Sequence, residues 1–170
     1  TRYLGFKSLK SQGEKASNYV FKQLDDANKW IAARAVWLLP YIGSQGIDNC
    51  IKMLEDENSD ERVVAYRSLR RAGHDIISHA RRMCKDESPQ VRREIALSLR
   101  DLPAEQTKDI FIELAKRCDT TDKNSLEAIG LGAAKQESII WKAIKNELHP
   151  DSSDKWSDHF ARLTWRLWGA

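Results

Sequence analysis

The feature that most constrains this chain is a set of apolar positions that recurs every 30 residues. One series reads Leu9, Leu39, Leu69, Leu99, Ile129, and a second reads Val20, Cys50, Ala80, Ile110, Ile140. A third reads Gly13, Gly43, Gly73 and then Pro103. Glycine directly after a helix adopts the left-handed conformation without steric cost, so this series predicts helix ends. A fixed period of this size predicts stacked supersecondary units.

Each 30-residue repeat has the pattern of two helices. Apolar residues return three or four positions apart, as at Ile31, Ala35 and Leu39, which is the period of a helix and not the alternation of a strand. First helices are predicted over 30–42, 61–72 and 90–102, and second helices over 47–56, 75–86 and 105–117. Two short helices cannot bury their apolar faces alone, so neighbouring repeats must stack.

The predicted fold is therefore all-α, an α-α superhelix (a solenoid) of about five two-helix repeats with an additional C-terminal helix. The 170 residues fit one domain, 1–170. The predicted repeats cover about 1–28, 29–58, 59–88, 89–119 and 120–149, and the predicted terminal helix covers 155–168.

Composition and motifs exclude several functions at the level of sequence. No apolar run approaches the ~20 residues of a membrane span, so we expect no membrane insertion. Cys50, Cys84 and Cys118 lie too far apart for a disulfide framework or a zinc site and are expected to be small buried residues. No nucleotide-binding, nucleophile or metalloprotease motif occurs. The sequence predicts no enzyme, no catalytic residue, no metal site and no cofactor.

The turns and first helices resemble HEAT repeats. That family places an Asp before the first helix and an apolar–Arg pair five and six residues later, as at Asp86, Val91 and Arg92. Asp56 and Arg62 also fit, although a glutamate holds the apolar place. The resemblance implies that the series Asp56, Arg62, Asp86, Arg92 forms a structural ladder between repeats. It also implies a surface that binds protein domains.

A finer resemblance involves residues 125–133 and 160–167. These segments look like the HEAT region of large bacterial proteins that combine a dehydrogenase-like β-propeller, a HEAT region and often a cytochrome c module. The resemblance implies a noncatalytic spacer or interaction module in a larger bacterial protein. Such proteins are typically exported, which implies a periplasmic location. Without this resemblance the chain is expected in the cytoplasm, and the sequence alone leaves the compartment open.

A central basic region supports an alternative function. Residues 62–100 carry nine arginines and Lys85 against four acids, an excess of six positive charges in a chain whose total is +3. His79, Arg81, Arg82 and Lys85 fall on a second helix, which lines the concave face of a HEAT array. They are therefore the candidate residues for binding nucleic-acid phosphates. Alkylpurine DNA glycosylases are also HEAT-like and basic, but Trp141 shares its repeat position with Phe21, Ile51 and Phe111, which indicates a core residue and not part of such a site.

The C-terminal helix is apolar on two sides. Trp156, Phe160, Leu163 and Leu167 form one stripe, and Ala161, Trp165 and Trp168 form the other. A helix of this kind is usually sandwiched, so Trp165 and Trp168 are candidates for contact with a neighbouring domain; the alternative is that both sides pack on the last repeat. Trp30, Trp37 and Trp141 are expected in the core.

Overall fold

The computed structural model describes residues 2–148 and 155–168, except for the side chain of Arg2. Helices account for the regular structure of these residues, and they contain no β-strand. The predicted all-α class is therefore confirmed. The helices are α1 (Arg2–Gln12), α2 (Ser17–Lys22), α3 (Lys29–Val36), α4 (Ser44–Lys52), α5 (Ser59–Ala72), α6 (Ile76–Met83), α7 (Pro89–Ser98), α8 (Ala104–Arg117), α9 (Lys123–Gly132), α10 (Glu137–Leu148) and α11 (Asp158–Trp168).

The chain forms two compact units, Thr1–Ile76 and Ile77–Ala170. Unit 1 contains α1 to α5, and unit 2 contains α6 to α11, with the first residue of α6 at the end of unit 1. The helices fall two by two into the predicted repeat ranges. The repeat boundaries and the single-domain assignment stay predictions, and residue 149 lies outside the described residues.

The apolar positions of the 30-residue period form the core of each unit. Leu39 and Leu69 in unit 1 and Leu99 in unit 2 are fully buried. The second series behaves in the same way, since Cys50 and Ile140 are also fully buried. The period thus identifies the residues that each helix pair buries against its neighbours.

Two predicted first helices are shorter than the sequence suggested. The helix predicted over 90–102 ends at Ser98, and the helix predicted over 30–42 ends earlier still. The range 30–42 was expected to be continuous, but α3 ends at Val36 and a 3-10 turn follows at Leu39–Tyr41. Pro40 explains the break, because it has no N–H to donate to the carbonyl of Val36 four residues earlier. The hydroxyl of Ser68 on α5 donates to this carbonyl instead, at 2.8 Å.

The glycines of the period all have positive φ angles, but the predicted left-handed helix end is wrong for Gly43, whose ψ of 177° lies outside the left-handed region and which is the N-cap of α4. Gly13, Gly43 and Gly73 have φ angles of 55°, 98° and 79°. Gly73 caps α5 in the left-handed conformation, and its N–H donates to the carbonyl of Arg70 at 3.1 Å. These positions turn the chain from the first helix of a pair towards the second.

Close helix packing in unit 2 depends on two other glycines. A Cβ atom at Gly132 on α9 would collide with the carbonyl oxygen of Ala96 on α7. A Cβ atom at Gly130 would collide with the guanidinium of Arg166 on α11. Arg166 also pairs with Glu127 at 3.0 Å, so it fixes α11 against α9. The helix predicted over 155–168 begins later, at Asp158.

We predict that Ser68→Ala lowers the free energy of unfolding by about 1–3 kcal/mol, because it leaves the buried carbonyl of Val36 without a donor. Urea denaturation measures this change. Ser11→Ala is the control, since the Ser11 hydroxyl donates to the carbonyl of Ser8 at an exposed site and its loss should have little effect. In a Pro40→Ala background residue 40 regains its N–H, and the cost of Ser68→Ala should fall. An equal cost in both backgrounds would contradict the explanation.

Candidate interaction surfaces

The predicted basic site lies in a groove that also contains carboxylates. This central groove encloses about 410 Å³ and is lined by Arg81, Cys84, Lys85, Asp109, Ile110, Ile112, Glu113, Lys116 and Glu147. Arg81 pairs with Asp109 at 2.7 Å, and its guanidinium also donates to the carbonyl of Gln106 at 3.1 Å. Partial burial would raise the pKa of Asp109, but the hydrogen bond and charge of Arg81 bring it below its ordinary value.

The other cations of the central groove are similarly paired. The ammonium group of Lys85 lies 3.9 Å from Glu113, and that of Lys116 lies 2.7 Å from Glu147 and 3.5 Å from Glu113. The carboxylates come from α8 and α10, beyond the basic segment 62–100. Three cations therefore face three carboxylates, and an incoming phosphate would compete with carboxylates already in place.

His79 and Arg82 lie on α6 with Arg81. The side chain of His79 is half-buried and that of Arg82 is exposed, and both make further contacts within the protein. The assignment of His79, Arg81, Arg82 and Lys85 to nucleic-acid binding stays a prediction, as does the glycosylase alternative.

The Asp and Arg residues of the HEAT pattern organise their own turns. The guanidinium of Arg92 donates to the main-chain carbonyls of Asp86 and Glu87 at 2.6 and 2.8 Å, and also reaches the carbonyl of Arg117 at 3.2 Å. The carboxylate of Asp86 accepts from the N–H of Ser88 at 2.8 Å.

The preceding turn repeats this arrangement. Arg62 donates to the carbonyl of Asp56 at 2.7 Å, and Asp56 accepts from the N–H of Asn58 at 2.8 Å. Each arginine satisfies carbonyl groups in the turn before its own helix, which supports a structural role for the series.

The tryptophans expected in the core have three different environments. Trp141 is buried, as predicted, and Trp37 is half-buried. The prediction for Trp30 was wrong, because its side chain is 64 % exposed. Trp30 lies in the first turn of α3. Its main-chain N–H donates to the side-chain oxygen of Asn28, the N-cap residue, at 3.0 Å. Its indole lies outside the apolar stripe that begins at Ile31.

The two predicted stripes of the C-terminal helix differ in burial, except that Trp156 of the first stripe lies before α11 and is 37 % exposed. Phe160, Leu163 and Leu167 are buried within unit 2. On the other side Trp165 is 75 % exposed and Trp168 is 68 % exposed, next to exposed Ala161. We call this second side, Ala161, Trp165 and Trp168, the indole face. The ring of Trp168 is oriented by an edge-to-face contact with Trp141, with 4.5 Å between ring centroids.

Sequence reasoning missed a cleft in unit 1. This aromatic cleft encloses about 460 Å³ between α1, α3 and the end of α5, and it is lined by Tyr3, Gly5, Phe6, Leu9, Arg34, Trp37, Leu38 and Arg71. The guanidinium carbon of Arg71 lies 5.8 Å from the ring centroid of Phe6 and 5.6 Å from that of Trp37. Its lining contains two guanidinium groups and no carboxylate.

The repeat period carried a signal for this cleft. Lys7, Trp37 and Arg67 stand 30 residues apart, as do Tyr41 and Arg71, so the first helices bring aromatic and cationic side chains to equivalent positions. The sequence predicts a core position for Trp37, and none of the candidate binding residues that it indicates lies in this cleft. The apolar positions of the period indicate only the core, so the signal for this cleft lies in the polar and aromatic positions of the same register.

The cysteines are buried, as expected. Burial raises the pKa of the Cys50 thiol to about 12 and that of Cys118 to about 11. Within the ranges 2–148 and 155–168, no group of three His, Cys, Asp or Glu side chains is placed to hold a metal ion. The helices of the same ranges include none that is long and apolar enough to span a membrane.

Helix pairs with buried apolar positions at a 30-residue period define an all-α solenoid protein. Residues 47–130 match the family model of HEAT repeats. This region of the chain belongs to the HEAT-repeat family, and the resemblance found in the sequence is confirmed at that level. Comparison with curated proteins and with solved structures gave no match.

We predict that the stability of the protein falls between about pH 9 and pH 12 because of Cys50. The unfolded thiol ionises near its ordinary pKa of 9.0, while the folded thiol stays protonated up to about 12. In this window the folded state binds more protons, so rising pH favours unfolding. Denaturant titrations from about pH 8 upwards should give a steeper loss for the wild type than for Cys50→Ala.

Val20→Ala provides the matched control for Cys50→Ala. Val20 occupies the same position of the repeat and is 2 % exposed, so its truncation should lower stability by an amount that does not change with pH. Parallel pH profiles for the wild type and Cys50→Ala would contradict the assignment.

Proposed function

We propose that this chain is a noncatalytic scaffold that binds a protein partner through the indole face of α11. HEAT repeats generally mediate protein interactions, and this is the general function that the family supports. The observation that carries the more specific proposal is the exposure of Trp165 and Trp168 side by side on a helix whose other side is buried.

The arrangement of α11 favours a rigid docking surface. Leu163 and Leu167 anchor the helix in unit 2, and the ion pair of Arg166 with Glu127 fixes its position along α9. Trp168 is oriented by its contact with Trp141. A partner would therefore meet indoles that are already ordered, which reduces the entropy lost on binding.

Tryptophan is one of the residue types enriched among the few residues that contribute most of the binding energy of protein interfaces. A large apolar surface with a neighbouring cation, here the exposed Arg162, is typical of an interface core with a polar rim. The partner that fits is the apolar face of a helix or domain, either in the same polypeptide or in a separate protein. Membership of a larger bacterial protein is part of this proposal and rests on the resemblance of residues 125–133 and 160–167.

The proposal can be tested with a photo-crosslinking amino acid at position 165 in cells that contain the native partner. We expect one discrete protein product, and Trp168→Ala should reduce its yield because it removes half of the indole face. Tyr19 is 70 % exposed on α2 and provides a control position for the same amino acid. Since Trp165 is largely exposed, its replacement should leave the melting temperature almost unchanged.

Three outcomes would contradict the proposal. The same products could form from positions 165 and 19, which would indicate nonspecific proximity. Trp168→Ala could leave the product from position 165 unchanged. Position 165 could give no protein product while the native partner is present.

A further inference from the structure

We propose that the aromatic cleft of unit 1 binds single-stranded nucleic acid, with bases against the aromatic walls and phosphates at Arg34 and Arg71. This site lies in α1, α3 and α5 and differs from the central groove that the sequence suggested. The function proposed for α11 does not depend on it.

The charge of the cleft favours a polyanion. Helices α1 and α3 contain no Asp or Glu, and they present the exposed cations Lys7, Lys10, Lys29 and Arg34. Arg71 adds a further exposed cation at the end of α5. In the central groove each cation faces a carboxylate, whereas the lining of the aromatic cleft contains none. Phosphates can approach these cations without displacing an internal anion.

The aromatic side chains indicate that the polyanion in the aromatic cleft is a nucleic acid, because its bases can stack on them. Tyr3 is 66 % exposed at the edge of the cleft, and Phe6 and Trp37 form its walls. Bases stack on such rings without sequence preference, and neighbouring cations neutralise the backbone. The guanidinium carbon of Arg71 lies 5.8 Å from the ring centroid of Phe6 and 5.6 Å from that of Trp37, and these cation–π contacts favour its position before a ligand arrives.

The dimensions favour a single strand over a duplex. A volume of about 460 Å³ is in the range of sites for small molecules and fits a base with its sugar. Stacked bases of a duplex are not available to the aromatic walls. Lys7 and Lys10 continue along α1 from the cleft, separated by a rise of about 4.5 Å, and provide contacts for further phosphates.

The test is fluorescence anisotropy with a labelled oligothymidylate of roughly 15 nucleotides, its matched duplex, and polyglutamate as a competitor. We expect the single strand to bind with a micromolar dissociation constant at about 50 mM salt and to weaken steeply by about 200 mM. The double variant Arg34→Glu with Arg71→Glu should weaken binding by about tenfold or more and reduce the salt dependence. Tyr3→Ala should weaken it by about tenfold through lost stacking.

Arg100→Glu with Lys108→Glu is the matched control. Both residues are exposed in unit 2, and the change in net charge equals that of the cleft variant. We expect less than about a twofold change in affinity. Circular dichroism of all variants separates lost binding from lost folding, and Tyr3→Ala remains informative if the double variant does not fold.

The proposal is overturned if the single strand does not bind at low salt, or if the control variant weakens binding as much as the cleft variant. Equal affinity for the duplex would indicate backbone attraction without base stacking. Displacement of the strand by polyglutamate at equal charge concentration would indicate a site for acidic polypeptides. Both results would also overturn it.

Discussion

The structure depends on one constraint: a pair of short helices cannot cover its own apolar face, so each pair must be covered by the next. Leu99, directly after α7, and Ile129 of α9 are buried at equivalent positions of successive pairs. The approach of these helices is so close that α9 has glycine at position 132, where a side chain would meet the carbonyl of Ala96. The 30-residue period follows from this constraint, because every helix pair must have apolar residues at equivalent positions of its repeat.

This constraint explains which parts of the fold the sequence could predict. Core positions such as Leu69 and Ile140 followed from the period, and Gly73 followed from the need to reverse the chain between helices. The early end of α3 did not follow, although Pro40 was visible. Pro40 removes the N–H that would continue the helix, and Ser68 from another helix satisfies the carbonyl of Val36 that is left; this partner is known only from the tertiary structure.

The charge of a surface was harder to predict than burial. A count of charged residues within one segment misses the opposite charges that the fold brings to it from elsewhere in the chain. Arg81 meets Asp109, and Lys116 meets Glu147, at separations of 28 and 31 residues. Both separations are close to one repeat, so charges at equivalent positions of successive second helices pair across the stack. The excess between residues 62 and 100 is real in the sequence, but the counter-charges of Arg81, Lys85 and Arg93 lie about one repeat later.

The same separation connects different chemical groups in unit 1. Lys10 lies 3.8 Å from the ring centroid of Tyr41, 31 residues later, and Arg71 lies near Trp37, 34 residues earlier. Here cations on first helices face aromatic rings, whereas the cations on the second helices of unit 2 face carboxylates. A ring attracts a cation without cancelling its charge, so the cation can still attract an anion. The residue type one repeat away therefore determines what a basic side chain can do. Beside a carboxylate it forms an internal ion pair, and beside an aromatic ring it remains able to bind an anionic ligand.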